Sequence, residues 1–229
     1  MAKLLNYPGS KAGSGVYQLI IGQMPPHTVY VEPFYGSGQV FVRKRRSERS
    51  ILIDISQGSI SSAPNEPGVR RICGNAFAVL PLLDLPTDAV IYCDPPYLLS
   101  TRNNRRYYEH EMTDTQHELL LALLEKINCR VMLSGYPSAL YNSRLRSWRC
   151  VSYRTRTRQR TVTECLWCNF EEPSDLHDWR YAGKSYRERL TLKRLAARWL
   201  GKLERMNERK RGYVLAAIAQ RHSHPLMHY

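Results

Sequence analysis

Ala89-Val90-Ile91-Tyr92-Cys93-Asp94-Pro95-Pro96-Tyr97 is an apolar run of strand length that stops at a carboxylate and two prolines. An apolar run without alternation reads as a strand buried on both faces. The prolines fix φ and withhold backbone donors, so the strand ends in a stiff turn that offers acceptors only. Upstream, Thr28–Glu32 is a second such strand. It runs into Pro33-Phe34-Tyr35-Gly36-Ser37-Gly38 and then a helix expected through Val42. Ser50–Asp54 is a strand that also ends in a carboxylate, followed by a Ser/Gly/Pro-rich loop from Ser56 to Gly68. Val69–Cys73 is the next strand, reaching Gly74-Asn75 and a short helix.

Downstream of the turn, Leu98–Met112 reads as a polar loop or hairpin. Thr113-x-x-Gln116 fits a capping box and opens a helix through about Asn128. Arg130–Leu133 is a strand, and Pro137 begins a helix. Cys150 to about Thr157 and Val162–Phe170 close the pattern as a hairpin. Strands alternating with helices predict an α/β fold: a Rossmann-like sheet with helices on both faces, a terminal β-hairpin, and ligands at the strands' carboxyl ends. Beyond Pro173 the chain becomes helical and basic, so two domains are expected, 1–175 and 176–229.

The 229 residues carry a net charge of +14, which points to a polyanionic partner. The charge is concentrated at one end. From Arg180 onward there are 13 Lys/Arg against 3 Glu, whereas the first hundred residues hold 9 Lys/Arg against 7 Asp/Glu. No signal peptide or apolar stretch of membrane-spanning length stands out, so a soluble, cytoplasmic protein is expected. Cys165-Leu166-Trp167-Cys168 falls in an expected strand, where residues three apart face opposite ways, so no metal or disulfide is expected there.

Asp94 and the carbonyl of Pro95 provide two acceptors side by side, and Tyr97 a flat face. That set suits an exocyclic amino group on an extruded base. When both its hydrogens are accepted, the nitrogen moves toward a tetrahedral shape and its lone pair turns outward; Tyr97 can stack on the ring. A strand-ending turn would use the same residues, so their companions decide. Gly36 and Gly38 let the backbone approach a ligand closely, without the GxGxxG pattern of dinucleotide sites. Asp54 is placed to accept from ribose hydroxyls, or to cap a helix.

Tyr7-x-Gly9-x-Lys11, then Glu32-Pro33-Phe34-x-Gly36-x-Gly38, then Asp54, then Asp94-Pro95-Pro96-Tyr97 resembles the Dam-type (alpha class) adenine-N6 DNA methyltransferases, from Lys3 to about Phe170. Leu133–Tyr136 and Thr163–Trp167 are similar to late segments of that family's phage and prophage members. The resemblance implies a class I S-adenosylmethionine-dependent methyltransferase sheet. It implies that Tyr7, Lys11, Asp54 and Asp94 contact the methyl donor. Glu32, Pro33, Phe34, Gly36, Ser37 and Gly38 would form the donor loop, and Asn75 would lie against the donor's adenine. Asp94, Pro95, Pro96 and Tyr97 would be the catalytic turn. S-adenosylmethionine is then the cofactor, no metal is needed, and a bacterial or phage-infected cell is implied, with a restriction-modification system and a solitary enzyme both open. The family inserts a recognition domain before the catalytic turn; here only the 18 residues Ala76–Cys93 stand between Asn75 and Asp94, so a GATC target does not carry over.

DNA contacts are expected from Arg102, Arg105, Arg106, Tyr107 and Tyr108 after the turn. A second set is Arg154, Arg156, Arg158 and Arg160, which at period two form one guanidinium row on a continuing strand. The C-terminal helices leave a monomer and a dimer both open. An RNA adenine methyltransferase and a non-catalytic nucleic-acid-binding protein with a degenerate donor pocket are the alternatives. A glutamine methyltransferase usually has Asn in place of Asp94.

Overall fold

The computed structural model describes residues 11, 15–102, 106–156 and 161–221, with only the main chain of residue 156. They fall into two compact units, 1–182 and 183–229. The first holds one seven-stranded sheet of β1 (Val29–Glu32), β2 (Arg49–Asp54), β3 (Val69–Cys73), β4 (Val90–Cys93), β5 (Arg130–Gly135), β6 (Arg149–Arg156) and β7 (Thr161–Cys168). Their order is β3-β2-β1-β4-β5-β7-β6. The first five strands are parallel, and β7 enters antiparallel beside β5 with β6 outside it. This is the α/β sheet with a terminal hairpin that the sequence predicts. The strand order reverses between β1 and β4, and ligands of such sheets bind beyond the carboxyl ends at that reversal.

Alternation along the strands divides the core in two. Val29, Val31, Ile51, Ile53, Ile91, Cys93, Val131 and Leu133 face one side, under α4 (Asp114–Leu124) and α5 (Ala139–Arg144). Tyr30, Leu52, Val90, Tyr92 and Met132 face the other, under α1 (Val16–Ile21) and α2 (Gln57–Ser62). Cys165 belongs to the first cluster and Cys168 to the second, so the CxxC cysteines do lie on opposite faces, both as free thiols. The remaining short helix, α3 (Ala76–Val79), is capped by Asn75, whose side chain accepts from Phe77 N–H at 2.9 Å.

Two helical expectations change. After Gly38 the chain makes successive turns rather than a helix. Val42 N–H reaches Gly38 O, but Arg43 N–H turns to Val40 O, and the Gln39 carbonyl that it would need in a helix accepts from the Arg43 guanidinium at 3.2 Å. The helix opened by the Thr113/Gln116 capping box ends at Leu124, four residues early. Its last bonds shorten to Lys126 N–H on Leu123 O and Ile127 N–H on Leu124 O, the tighter geometry common at helix ends.

Residues 177–181 strap back over the first unit. His177 N–H donates to Met24 O at 2.9 Å, Asp178 accepts from Arg45 N–H at 2.9 Å, and Tyr181 packs edge-on against Tyr17. The second unit consists of α6 (Tyr186–Glu204) and α7 (Glu208–Arg221), basic helices with no buried residue. No described helix is long and apolar enough to cross a membrane.

Candidate active site

Three adjacent parallel strands, β2, β1 and β4, end in or run directly into acidic residues: Asp54, Glu32 and Asp94. The glycine turn is tied to this edge. Gly36 N–H donates to Asp54 Oδ2 at 2.7 Å and Ser56 N–H to Oδ1 at 2.8 Å. Asp54 is therefore not the N-cap of α2, a role Ser56 takes by accepting from Ser59 N–H. Instead it anchors the glycine turn and keeps lone pairs for a further donor. Gly36 and Gly38 have φ of 52° and 60°, the left-handed region that favours glycine. Pro33 is buried between them and Glu32, while Phe34 and Ser37 are half-buried along the turn.

Glu32 is buried and accepts from Tyr30 Oη at 2.8 Å. Burial pushes its pKa up to about 8 against the opposing Tyr30 bond, with Asp94 and Asp54 adding to the rise. Lys44, beside the Tyr30 ring, is pulled down to about 7, chiefly by burial.

At the end of β4, Asp94 Oδ1 accepts from Lys11 Nζ at 2.7 Å. Burial raises the Asp94 pKa, and Lys11 opposes the rise. Burial alone would lower Lys11, but the carboxylates of Asp94 and Glu164 outweigh it and hold its pKa above the usual lysine value. Lys11 also donates to Tyr97 Oη at 2.8 Å, and Tyr97 Oη donates to Glu164 Oε2 at 2.9 Å. Because Lys11 binds the hydroxyl end, its 4.9 Å approach to the ring centroid reflects that hydrogen bond rather than a cation over the ring face. Tyr97 is only 7% exposed, with Tyr136 edge-on at 4.7 Å between centroids. The ring expected to offer a flat face for stacking is held at both its hydroxyl and its edge.

The structure thus joins Lys11 to Asp94 and Tyr97, residues that the sequence places in two separate motifs. Pro95 is buried and Pro96 half-buried in the same turn. Asn75 stays exposed at the α3 cap, its side-chain oxygen committed to Phe77 N–H. Glu164 and Tyr153, whose hydroxyl also donates to Glu164 Oε2 at 3.0 Å, were not expected in the site. Their placement follows from the β6–β7 register, which pairs the two residues directly.

The basic loop after the turn needs one correction. Arg102 is buried, and its guanidinium is occupied by both carboxylate oxygens of Glu111 and by Tyr97 O at 2.7 Å. An arginine so engaged braces the loop instead of reaching a phosphate. Glu111 also accepts from Tyr107 and Tyr108 N–H, which leaves Arg106 and Tyr107 exposed and Tyr108 half-buried. Arg154 is exposed on β6, and Arg156 is the next alternate position, paired with Thr161. Tyr7, Arg105, Arg158 and Arg160 lie outside the described residues. No group of three or more metal-ligating side chains occurs among the described residues.

Among solved structures, the chain is similar to a dimethyladenosine transferase from Plasmodium falciparum at 12% identity, covering 66% of this chain and 60% of that one, with a TM-score of 0.43. It is similar to magnesium protoporphyrin IX methyltransferase from Synechocystis with bound SAM at 15% identity, 67% and 75% coverage, and a TM-score of 0.43. An rRNA methylase from Streptococcus thermophilus matches at 9% identity, 69% and 95% coverage, and a TM-score of 0.43. No curated protein matches. Residues 63–158, which include the whole Asp94–Tyr97 turn, match the family model of the D12 class N6 adenine-specific DNA methyltransferases. The chain is similar over residues 63–158 to the D12 class N6 adenine-specific DNA methyltransferases, and that stretch lies within its α/β sheet unit.

Proposed function

We propose that the chain transfers a methyl group from S-adenosylmethionine to the exocyclic N6 amino group of adenine in DNA. The observation that carries this reading is Asp94, a carboxylate at the end of β4 that two prolines hold next to the strand reversal. The residues present fit the donor: Asp54 keeps acceptor capacity for ribose hydroxyls, Gly36 and Gly38 allow close approach, and Lys11 offers an ammonium for the donor's carboxylate. S-adenosylmethionine supplies an electrophilic methyl group when bound.

The chain's own residues do the rest by orientation and electrostatics. Asp94 and the Pro95 carbonyl accept the two N6 hydrogens and direct the nitrogen lone pair outward. Asp94 then faces the positive charge that develops on nitrogen as the new N–C bond forms and the S–C pair returns to sulphur. The proton leaves late, once the alkylated nitrogen has become acidic, and Asp94 is placed to hold it. Tyr97 closes the base pocket as a fixed wall. The exposed Arg106, Tyr107 and Arg154 form the nucleic-acid side, and the tail adds basic surface.

Parallel single-turnover assays on a duplex DNA and an RNA of the same sequence test the substrate class. Methyl transfer to DNA at least about tenfold faster than to RNA is expected, since a tenfold ratio needs only about 1.4 kcal/mol. Transfer to RNA alone would replace this reading with the RNA enzyme. Donor binding without transfer to either would leave a binding protein.

A further inference from the structure

Glu164 stands on β7, outside every motif of the catalytic turn, yet its Oε2 accepts from both Tyr97 Oη at 2.9 Å and Tyr153 Oη at 3.0 Å. Lys11 Nζ lies 3.7 Å from the same oxygen while bonded to Asp94 and to the Tyr97 hydroxyl. The carboxylate is fixed from its own side too. Tyr153 is its direct partner in the β6–β7 ladder, so sheet register holds the phenol in place.

A tyrosine ring is set by two torsions. Tyr97 follows Pro96, whose φ is fixed, and its far end is held by the hydroxyl bond to Glu164. The Tyr136 edge at 4.7 Å leaves the ring little freedom on one side. The bond to a carboxylate is charge-assisted and stronger than one to a neutral acceptor. One lysine also stands between two carboxylates, with Lys11 Nζ 2.7 Å from Asp94 Oδ1 and 3.7 Å from Glu164 Oε2.

We infer that Glu164 is a positioning residue of the transfer reaction, holding the Tyr97 ring against the target base and sharing Lys11 with Asp94. This rests on the function proposed above. Glu164→Gln keeps the shape but loses the charge, and Tyr97→Phe keeps the ring but loses the hydroxyl. Single-turnover methylation of duplex DNA and equilibrium binding of S-adenosylmethionine would be measured for wild type, both single variants and the double variant.

Each single variant is expected to slow transfer by about 10- to 100-fold while donor affinity changes by less than about threefold. The double variant is expected to be no slower than the worse single, because both act through one hydrogen bond. A transfer rate for Glu164→Gln within about twofold of wild type overturns the inference, as do losses that multiply in the double variant. A purely structural Glu164 would lower melting temperature without changing the rate per donor-binding site, and that result also overturns it. Should wild type methylate adenine while Glu164→Gln does so equally well, the methyltransferase reading stands and only this role falls. Wild type that binds donor yet never transfers removes both.

Discussion

Glu32 shows how burial can turn a charge into a neutral acceptor at the edge of a site. With a folded pKa of about 8 against 4.5 for the free group, it binds its proton more tightly in the fold. Its stabilising contribution is therefore complete below about pH 4.5 and is lost as pH rises through about 8. Tyr30, Asp94, Asp54 and Lys44 are the ionisable groups that face it. Glu32→Gln should match wild type in urea titrations near pH 4.5 and exceed it at pH 8.5 by on the order of 2 kcal/mol. Equal stability at both pH values would show that Glu32 stays ionised. Asp94 and Glu32 could be singled out from the sequence because strand ends and glycine turns carry local signals, whereas Lys11 was singled out only through the family resemblance. Glu164 falls in the Thr163–Trp167 segment that carries part of the resemblance, but its meeting with Tyr153 and Tyr97 could not be read, since it comes through a hairpin register and a phenol from β4's turn. Arg102 misled for the same reason: its partner Glu111 sits nine residues away in a loop that no periodicity describes.

In the proposed reaction the glycine turn between β1 and β2 is the element that carries the donor side. Gly38 N–H donates to Tyr35 O at 2.8 Å, and a Cβ on Gly38 would collide with the Tyr35 ring. Gly38→Ala combines a left-handed backbone with that clash, so a loss of roughly 2 kcal/mol or more is expected together with weaker donor binding. Thermal melting and calorimetry on one preparation would check both; an unchanged melting temperature would mean that Tyr35 yields freely. The parallel strands were legible because each is an apolar run with a definite stop. The helix expected after Gly38 was not. Val40 and Phe41 are buried, but the Gln39 carbonyl that the next helical bond would need accepts from the Arg43 side chain. That bond joins a side chain to a carbonyl four residues back, and helix-start rules do not contain it.

The charge is divided unevenly between the two units. Residues 1–182 hold the sheet and the carboxylates, while 183–229 form basic helices that leave Trp199, Leu200 and Tyr213 exposed within an excess of Lys and Arg. The shift in composition beyond Pro173 was legible, although 177–181 pack on the first unit through His177, Asp178 and Tyr181, an arrangement that the sequence does not display. If the second unit holds DNA phosphates, deleting residues from Gly183 onward should weaken DNA binding and flatten its salt dependence by about 0.9 in log–log slope for each phosphate no longer neutralised. An unchanged slope would assign those helices to another task. The central claim concerns a single nitrogen atom. Duplex DNA incubated with the protein and isotope-labelled S-adenosylmethionine, then digested to nucleosides and resolved by mass spectrometry, reads that atom directly. Label in N6-methyldeoxyadenosine, reduced about 1,000-fold or more in a folded Asp94→Ala variant, is the predicted result. Label in any other base, or an Asp94→Ala variant that labels adenine as fast as wild type, would contradict it.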